Sequence, residues 1–265
     1  MTDNRLSPIR YVEIGISDPA RSLAFYCDLL GFRPLHGVPG RVSEREHWLS
    51  AGPALIKLVD VGPGDLGGWT NANLQQGLRH IGWKVGNVEL QSERLREAGV
   101  EFAIEPLEAP GGVWISFFYD PDGTLLEFVD RYVQYHRVLS PELAERDRVA
   151  AKGRSRTAGP VFDHVAATVD DLDRSLAFYR DNFGYEPIGQ LDLGGDNGCV
   201  ITYLDAGGVG LELISYSAPT SPNPWTPEEP RLGLRTIGIG IGDAAAGQRL
   251  VMDPDGTPLQ LTGGN

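Results

Sequence analysis

DPARSLAFYCDLLGFRP occupies residues 18–34 and DLDRSLAFYRDNFGYEP residues 171–187, and the two align without a gap. They share RSLAFY, then Asp28 with Asp181, Gly31 with Gly184 and Pro34 with Pro187, at a constant offset of 153 residues. GLRHIGWKVG at 77–86 is echoed by GLRTIGIGIG at 233–242, and DPDGT at 120–124 by DPDGT at 253–257. Self-similarity of this kind marks repeated structural units. The 265-residue chain therefore reads as a tandem duplication, with a first domain over 1–150 and a second over 151–265.

Each half reads in turn as two shorter units. Alternation of apolar and other residues predicts a half-buried strand at 9–16, and Asp18-Pro19 opens a helix that Gly31 ends. Three short strands near 32–38, 45–51 and 54–60 follow, separated by turns containing Gly or Pro. That order is βαβββ. It recurs over 78–130, with a strand at 79–85, a helix near 88–98 and strands near 100–105, 113–119 and 124–130; DPDG is read as a turn and nothing more. Residues 161–216 repeat it again. The last unit, 233–262, is too short for all five elements, so its helix and second strand are expected to be missing. Connectors at 61–77 and 216–232 are rich in Gly, Pro, Asn and Ser and read as loops. Between the halves, Ser140-Pro141-Glu142 predicts a helix start. The fold class is α+β, built from four βαβββ modules with the fourth truncated.

A net charge of −13 repels phosphate and argues against nucleic acid or an anionic membrane as partner. No run of 18 or more apolar residues and no basic start with an apolar segment is present, so neither a membrane span nor a secretory signal is expected. Cys27 and Cys199 are too few for a disulfide framework, which makes a reducing cytoplasm the expected compartment. The apolar spacing of the RSLAFY helices assigns them to core packing. His36, His47 and His136 are assigned to the surface.

Other residues carry chemistry. A strand opens with His164, an Asp follows seven residues later, and S-L-A-F-Y leads to Phe-Gly-Tyr, while D-P-D-G-x-x-x-E closes the unit ending at Glu127. This pattern resembles the vicinal oxygen chelate superfamily of glyoxalase I, methylmalonyl-CoA epimerase, extradiol dioxygenases and the fosfomycin- and bleomycin-resistance proteins. The resemblance covers nearly all of the chain and weakens in the fourth unit and central connector. It implies a glyoxalase-like fold in which curved mixed sheets form cups, with metal ligands drawn from the first and last strand of each unit.

Carried over residue by residue, the units offer Tyr11 and Lys57, His80 and Glu127, His164 and Glu212, and Thr236 and Gln260. A protonated Lys has no lone pair to give, and Thr and Gln oxygens are weak substitutes for imidazole and carboxylate. Forty-seven residues separate His80 from Glu127 and forty-eight separate His164 from Glu212. Pairing unit two with unit three, and one with four, collects His80, Glu127, His164 and Glu212 into one metal site shared by the halves. Such a set suits Ni²⁺, Co²⁺, Zn²⁺, Fe²⁺ or Mn²⁺ and leaves two positions of an octahedron for neighbouring substrate oxygens.

The resemblance to glyoxalase I implies a metal-dependent lyase or isomerase that acts on a small α-oxo or α-hydroxy carbonyl compound through a stabilised enediolate. Glu127 is the expected base and Glu212 the alternate. No basic cluster marks a place for glutathione. One alternative is an Fe²⁺ extradiol dioxygenase using His80, His164 and Glu127. The other is a non-catalytic antibiotic-binding protein whose pocket Tyr11, Trp83, Trp114 and Phe118 line. The expected partner is a small molecule, and the duplication is compatible with either a monomer or a homodimer.

Overall fold

The computed structural model describes residues 6–36, 43–242 and 248–263. Unit one supplies strands β1 (Ile9–Ile16), β2 (Arg33–Leu35), β3 (Glu46–Ser50) and β4 (Leu55–Asp60). Its helix α1 (Pro19–Leu23) runs on into a π-helical segment, Ala24–Leu29. Asp18 caps α1 by accepting the N–H groups of Ala20 and Arg21, and Pro19 sits where its missing N–H costs nothing. Unit two has β5 (Gly77–Lys84), α2 (Val88–Glu97), β6 (Phe102–Ala109), β7 (Val113–Tyr119) and β8 (Leu125–Val129).

The connector adds the short β9 (Arg137–Val138) and α3 (Pro141–Ala151), whose N-cap is Ser140. Unit three comprises β10 (Val161–Thr168), α4 (Leu172–Phe183), β11 (Glu186–Gly194), β12 (Cys199–Asp205) and β13 (Gly210–Ser215). Gly184 ends α4 in the left-handed conformation at φ 73°, which glycine adopts without a Cβ clash. Unit four retains β14 (Gly233–Ile241), β15 (Gln248–Met252) and β16 (Pro258–Gly263), with no helix among its described residues. The expectations for 37–38 and for 243–247 lie outside the described residues.

Two sheets result, and each draws strands from both halves of the chain. One runs β15-β16-β14-β1-β4-β3-β2, joining units four and one; the other runs β6-β7-β8-β5-β10-β13-β12-β11-β9, joining units two and three. The joints are the antiparallel pairs β1/β14 and β5/β10. A single apolar cluster includes residues of both sheets, among them Ile14, Ile56, Trp83, Phe118, Phe162, Leu213 and Ile237, with Tyr179 of α4 packed among them.

Each joint carries two slips in register. In β5/β10, Phe162 faces Trp83 and His164 faces Gly82, leaving Asp163 as an extra residue; Ala166 faces His80 and Ala167 faces Leu78, leaving Arg79 as another. Arg10 and Arg235 are the corresponding extra residues in β1/β14. A bulge of this kind turns a side chain away from the alternation of its strand.

The DPDG segments do more than turn the chain. Asp120 accepts the N–H groups of Asp122 and Thr124 on one oxygen and the Tyr26 hydroxyl on the other at 2.8 Å. Asp122 meets Ser17, Arg21 and Ser22. The same arrangement joins Asp253 to Tyr179 and Asp255 to Arg174 and Ser175. The Arg, Ser and Tyr of RSLAFY thus fasten each helix to the next unit of its own half.

Candidate metal centre

His164 and His80 stand on the two strands of the central β5/β10 joint, and each carboxylate lies on the strand hydrogen-bonded to the outer side of one of them. Glu212 of β13 is in register with Ala166, and Glu127 of β8 with Gly82. Since strand side chains alternate, all four project from one face of the sheet. Glycine at position 82 is a spatial necessity: a Cβ there would lie 2.0 Å from Cε1 of His164.

The Nε2 atoms of His80 and His164 are 3.1 Å apart. One oxygen of Glu127 lies 3.0 Å from Nε2 of His164 and 3.4 Å from Nε2 of His80. The three groups offer donor atoms that lie within 4.8 Å of one another. Glu212 is looser: its two oxygens straddle the imidazoles, at 3.4 Å from His164 and 3.9 Å from His80, and it lies outside that three-residue cluster. All four side chains are buried.

Neighbouring side chains orient them. Asp163, turned inward by its bulge, lies 3.0 Å from Nδ1 of His164; a proton held there leaves the Nε2 lone pair facing the centre. Asp163 is itself held by Lys84 at 3.4 Å. Tyr203 is the cross-strand neighbour of Glu212, and its hydroxyl works against burial to lower that carboxyl's pKa. The matching neighbour of Glu127 is Phe117, whose ring meets His80 edge-on at 5.0 Å.

Burial opposes every charge in this cluster. On Glu127 the two imidazoles outweigh burial and lower the carboxyl to about 2. On Glu212 burial prevails over His164 and raises it to about 7. Burial lowers the pKa of His80, whereas on His164 the surrounding Glu212, Asp163 and Glu127 overcome burial and raise it well above the ordinary imidazole value. Two carboxylates buried together need a positive charge between them; a proton on His164 meets it in the metal-free site, and a ligand ion would take that proton's place.

A divalent ion fits that need. Bonds of about 2.1 Å to imidazole nitrogen and carboxylate oxygen place neighbouring donors about 3.0–3.4 Å apart, the separations found among His80, His164 and Glu127.

The cluster lines a cavity of about 490 Å³. Its walls are mainly apolar, with Val113, Ile115, Leu191 and Ile201 among them, and its aromatic side chains are Phe117, Tyr203 and Tyr216. The expected aromatic lining is corrected here. Trp83 and Phe118 face the core, where Trp83 meets Phe32 and Phe162; Trp114 also packs against the core, and Tyr11 belongs to the other sheet. Strand alternation explains the exchange, because Phe117 faces the cavity and its neighbours do not.

The equivalent face of the seven-stranded sheet is filled instead. Lys57 lies 3.0 Å from both Glu13 and Glu46, and Arg235 lies 2.8 Å from Glu13. The Tyr11 ring occupies the space above Gly238, as His164 does above Gly82. Its charges cancel internally.

Fold and site together define a duplicated βαβββ protein with one chemically equipped cup. The sequence matches the Glyoxalase/Bleomycin resistance protein/Dioxygenase superfamily over residues 9–128 and 161–251, and the chain belongs to that family. Glyoxalase I from Zea mays superposes with a TM-score of 0.67 at 20% identity, over 96% of this chain and 92% of that one. A "putative dioxygenase" from Bacillus subtilis subsp. subtilis str. 168 superposes with a TM-score of 0.64 at 13% identity, over 98% and 86%. Among the described residues, no helix is long and apolar enough to cross a membrane.

Proposed function

We propose that this protein is a metal-dependent lyase or isomerase of the glyoxalase type, acting on a small α-oxo or α-hydroxy carbonyl compound. The observation that carries the reading is the convergence of His80, Glu127, His164 and Glu212 at an apolar cavity. His80, His164 and Glu127 would hold the ion, with Glu212 closing the set. When bound, it would polarise a carbonyl oxygen and steady the negative charge that develops there.

The chain's own groups supply the rest. Asp163 keeps His164 in the tautomer that presents Nε2. Glu127 is fixed by both imidazoles at 3.0 and 3.4 Å, whereas Glu212 lies farther from them, at 3.4 and 3.9 Å, and is the carboxylate freer to turn from the ion and take a proton. We therefore assign Glu212 the proton on the carbon beside the carbonyl and leave Glu127 as ligand, reversing the order expected from the sequence. Tyr203 stands beside Glu212 on the next strand, and the apolar walls limit the access of water.

Elemental analysis of the purified protein, followed by NMR of deuterium wash-in beside the carbonyl of dihydroxyacetone, tests this. Stoichiometric Ni²⁺, Co²⁺, Zn²⁺ or Mn²⁺ and anaerobic exchange, lost in Glu212→Gln with metal retained, support it. Absence of stoichiometric metal would sink it. The tight His-His-Glu cluster by itself also suits an Fe²⁺ oxygenase; ring cleavage of a catechol that requires iron and oxygen would favour that second reading.

A further inference from the structure

Arg79 is the bulged residue of β5, next to His80, and it lines the same cavity. The residue is only 4% exposed. Nη2 donates to the Thr70 carbonyl at 2.8 Å, Nη1 has long contacts of 3.4 and 3.5 Å to Gln75, and the guanidinium lies 4.9 Å from the centre of the Trp69 ring. Among the described residues it pairs with no carboxylate. A buried charge left so is costly.

The duplication provides an internal reference. Arg235 is the bulged residue at the matching place in the other cup, inside the echoed GLR of 233–235, and it pairs with Glu13 at 2.8 Å. Glu13 is in register with Lys57 as Ala166 is with Glu212. The residue matching Glu13 is thus Ala166, so the open cup keeps the arginine and lacks its partner.

We propose that Arg79 receives a carboxylate of the substrate, so that the site takes amphiphilic monocarboxylic acids. This deepens the proposed function and rests on it only for the reaction that follows binding. A guanidinium presents parallel donors that match one carboxylate. Glu127, Glu212, Asp163 and Asp196 already line the cavity, so a more highly charged anion would meet repulsion. The apolar walls suit a hydrocarbon body.

Isothermal titration of the full chain with 4-phenylbutyrate and with neutral 4-phenylbutanamide, each with and without added Zn²⁺, tests the assignment. The acid should bind about tenfold or more tightly than the amide, as expected of a charge-assisted hydrogen bond. Arg79→Met should abolish the preference, Arg79→Lys should keep part of it, and Ala166→Glu should remove it by supplying the missing partner. Acid bound no better than amide by the native protein, or a preference that survives Arg79→Met, overturns the inference. Zn²⁺ bound stoichiometrically with no preference for acid would defeat this inference alone. An Arg79-dependent preference without Zn²⁺ uptake would uphold it and defeat the proposed metal chemistry.

Discussion

Replacing Gly82 with alanine should weaken metal binding without touching a ligand. The new Cβ would lie 2.0 Å from Cε1 and 2.4 Å from both ring nitrogens of His164. Ordinary contact begins near 3.4 Å, so the ring must withdraw by about 1.4 Å, whereas metal–ligand distances tolerate about 0.2 Å. Changes that merely reorient a ligand cost about 10–100-fold in affinity. Displacing His164 outright should cost at least about 100-fold, or about 2.7 kcal/mol. Competition for Zn²⁺ against a chromophoric chelator measures it. Gly238→Ala is the matched control, since its Cβ would meet the Tyr11 ring at 2.1 Å in the charge-filled cup; metal affinity should be unchanged there. Native affinity in Gly82→Ala would show that His164 is not a ligand and refute the shared centre.

Three other outcomes are expected. His80→Ala or His164→Ala should each lose most bound metal by elemental analysis, full occupancy in either counting against a common site. Fragments 1–150 and 151–265 should bind Zn²⁺ weakly when apart and strongly when mixed, and strong binding by one fragment would contradict the shared geometry. Burial raises Asp120 to about 6, above its unfolded value of about 3.9, so the folded form holds this proton more tightly and its contribution to stability falls as pH rises between those values. Tyr26→Phe removes a donor to that carboxylate, and urea denaturation should show a loss of about 1.5–3 kcal/mol above pH 6 that shrinks toward pH 4; an equal loss at both would indicate that Asp120 does not titrate there.

The four modules and the alignment of His80, Glu127, His164 and Glu212 were legible because they repeat along the chain and obey strand periodicity. What the alignment missed depends on partners distant in sequence. Asp163 and Arg79 enter the cup only because the β5/β10 register slips at each, and a strand read alone places them on the opposite face from their histidines. Tyr203 is found only once β12 is laid against β13. The sequence favours Trp114 and Phe118 over Phe117 because large side chains stand at both odd and even positions of VWISFFY, and that pattern does not disclose which face meets the helix. The RSLAFY signature reads as packing, and its Phe25, Tyr26 and Tyr179 are buried; the carboxylates that explain its Arg, Ser and Tyr lie 74 to 101 residues away.

The sheets bind module one to four and two to three, while the paired aspartates of DPDG bind one to two and three to four. The four modules therefore form a closed circuit, each gripped by two others. A protease cut in the linker after α3 would open the backbone and leave all four joints standing, so the nicked pieces should migrate as one particle until denaturant frees them. A gene rearranged to start at module three should encode the same circuit.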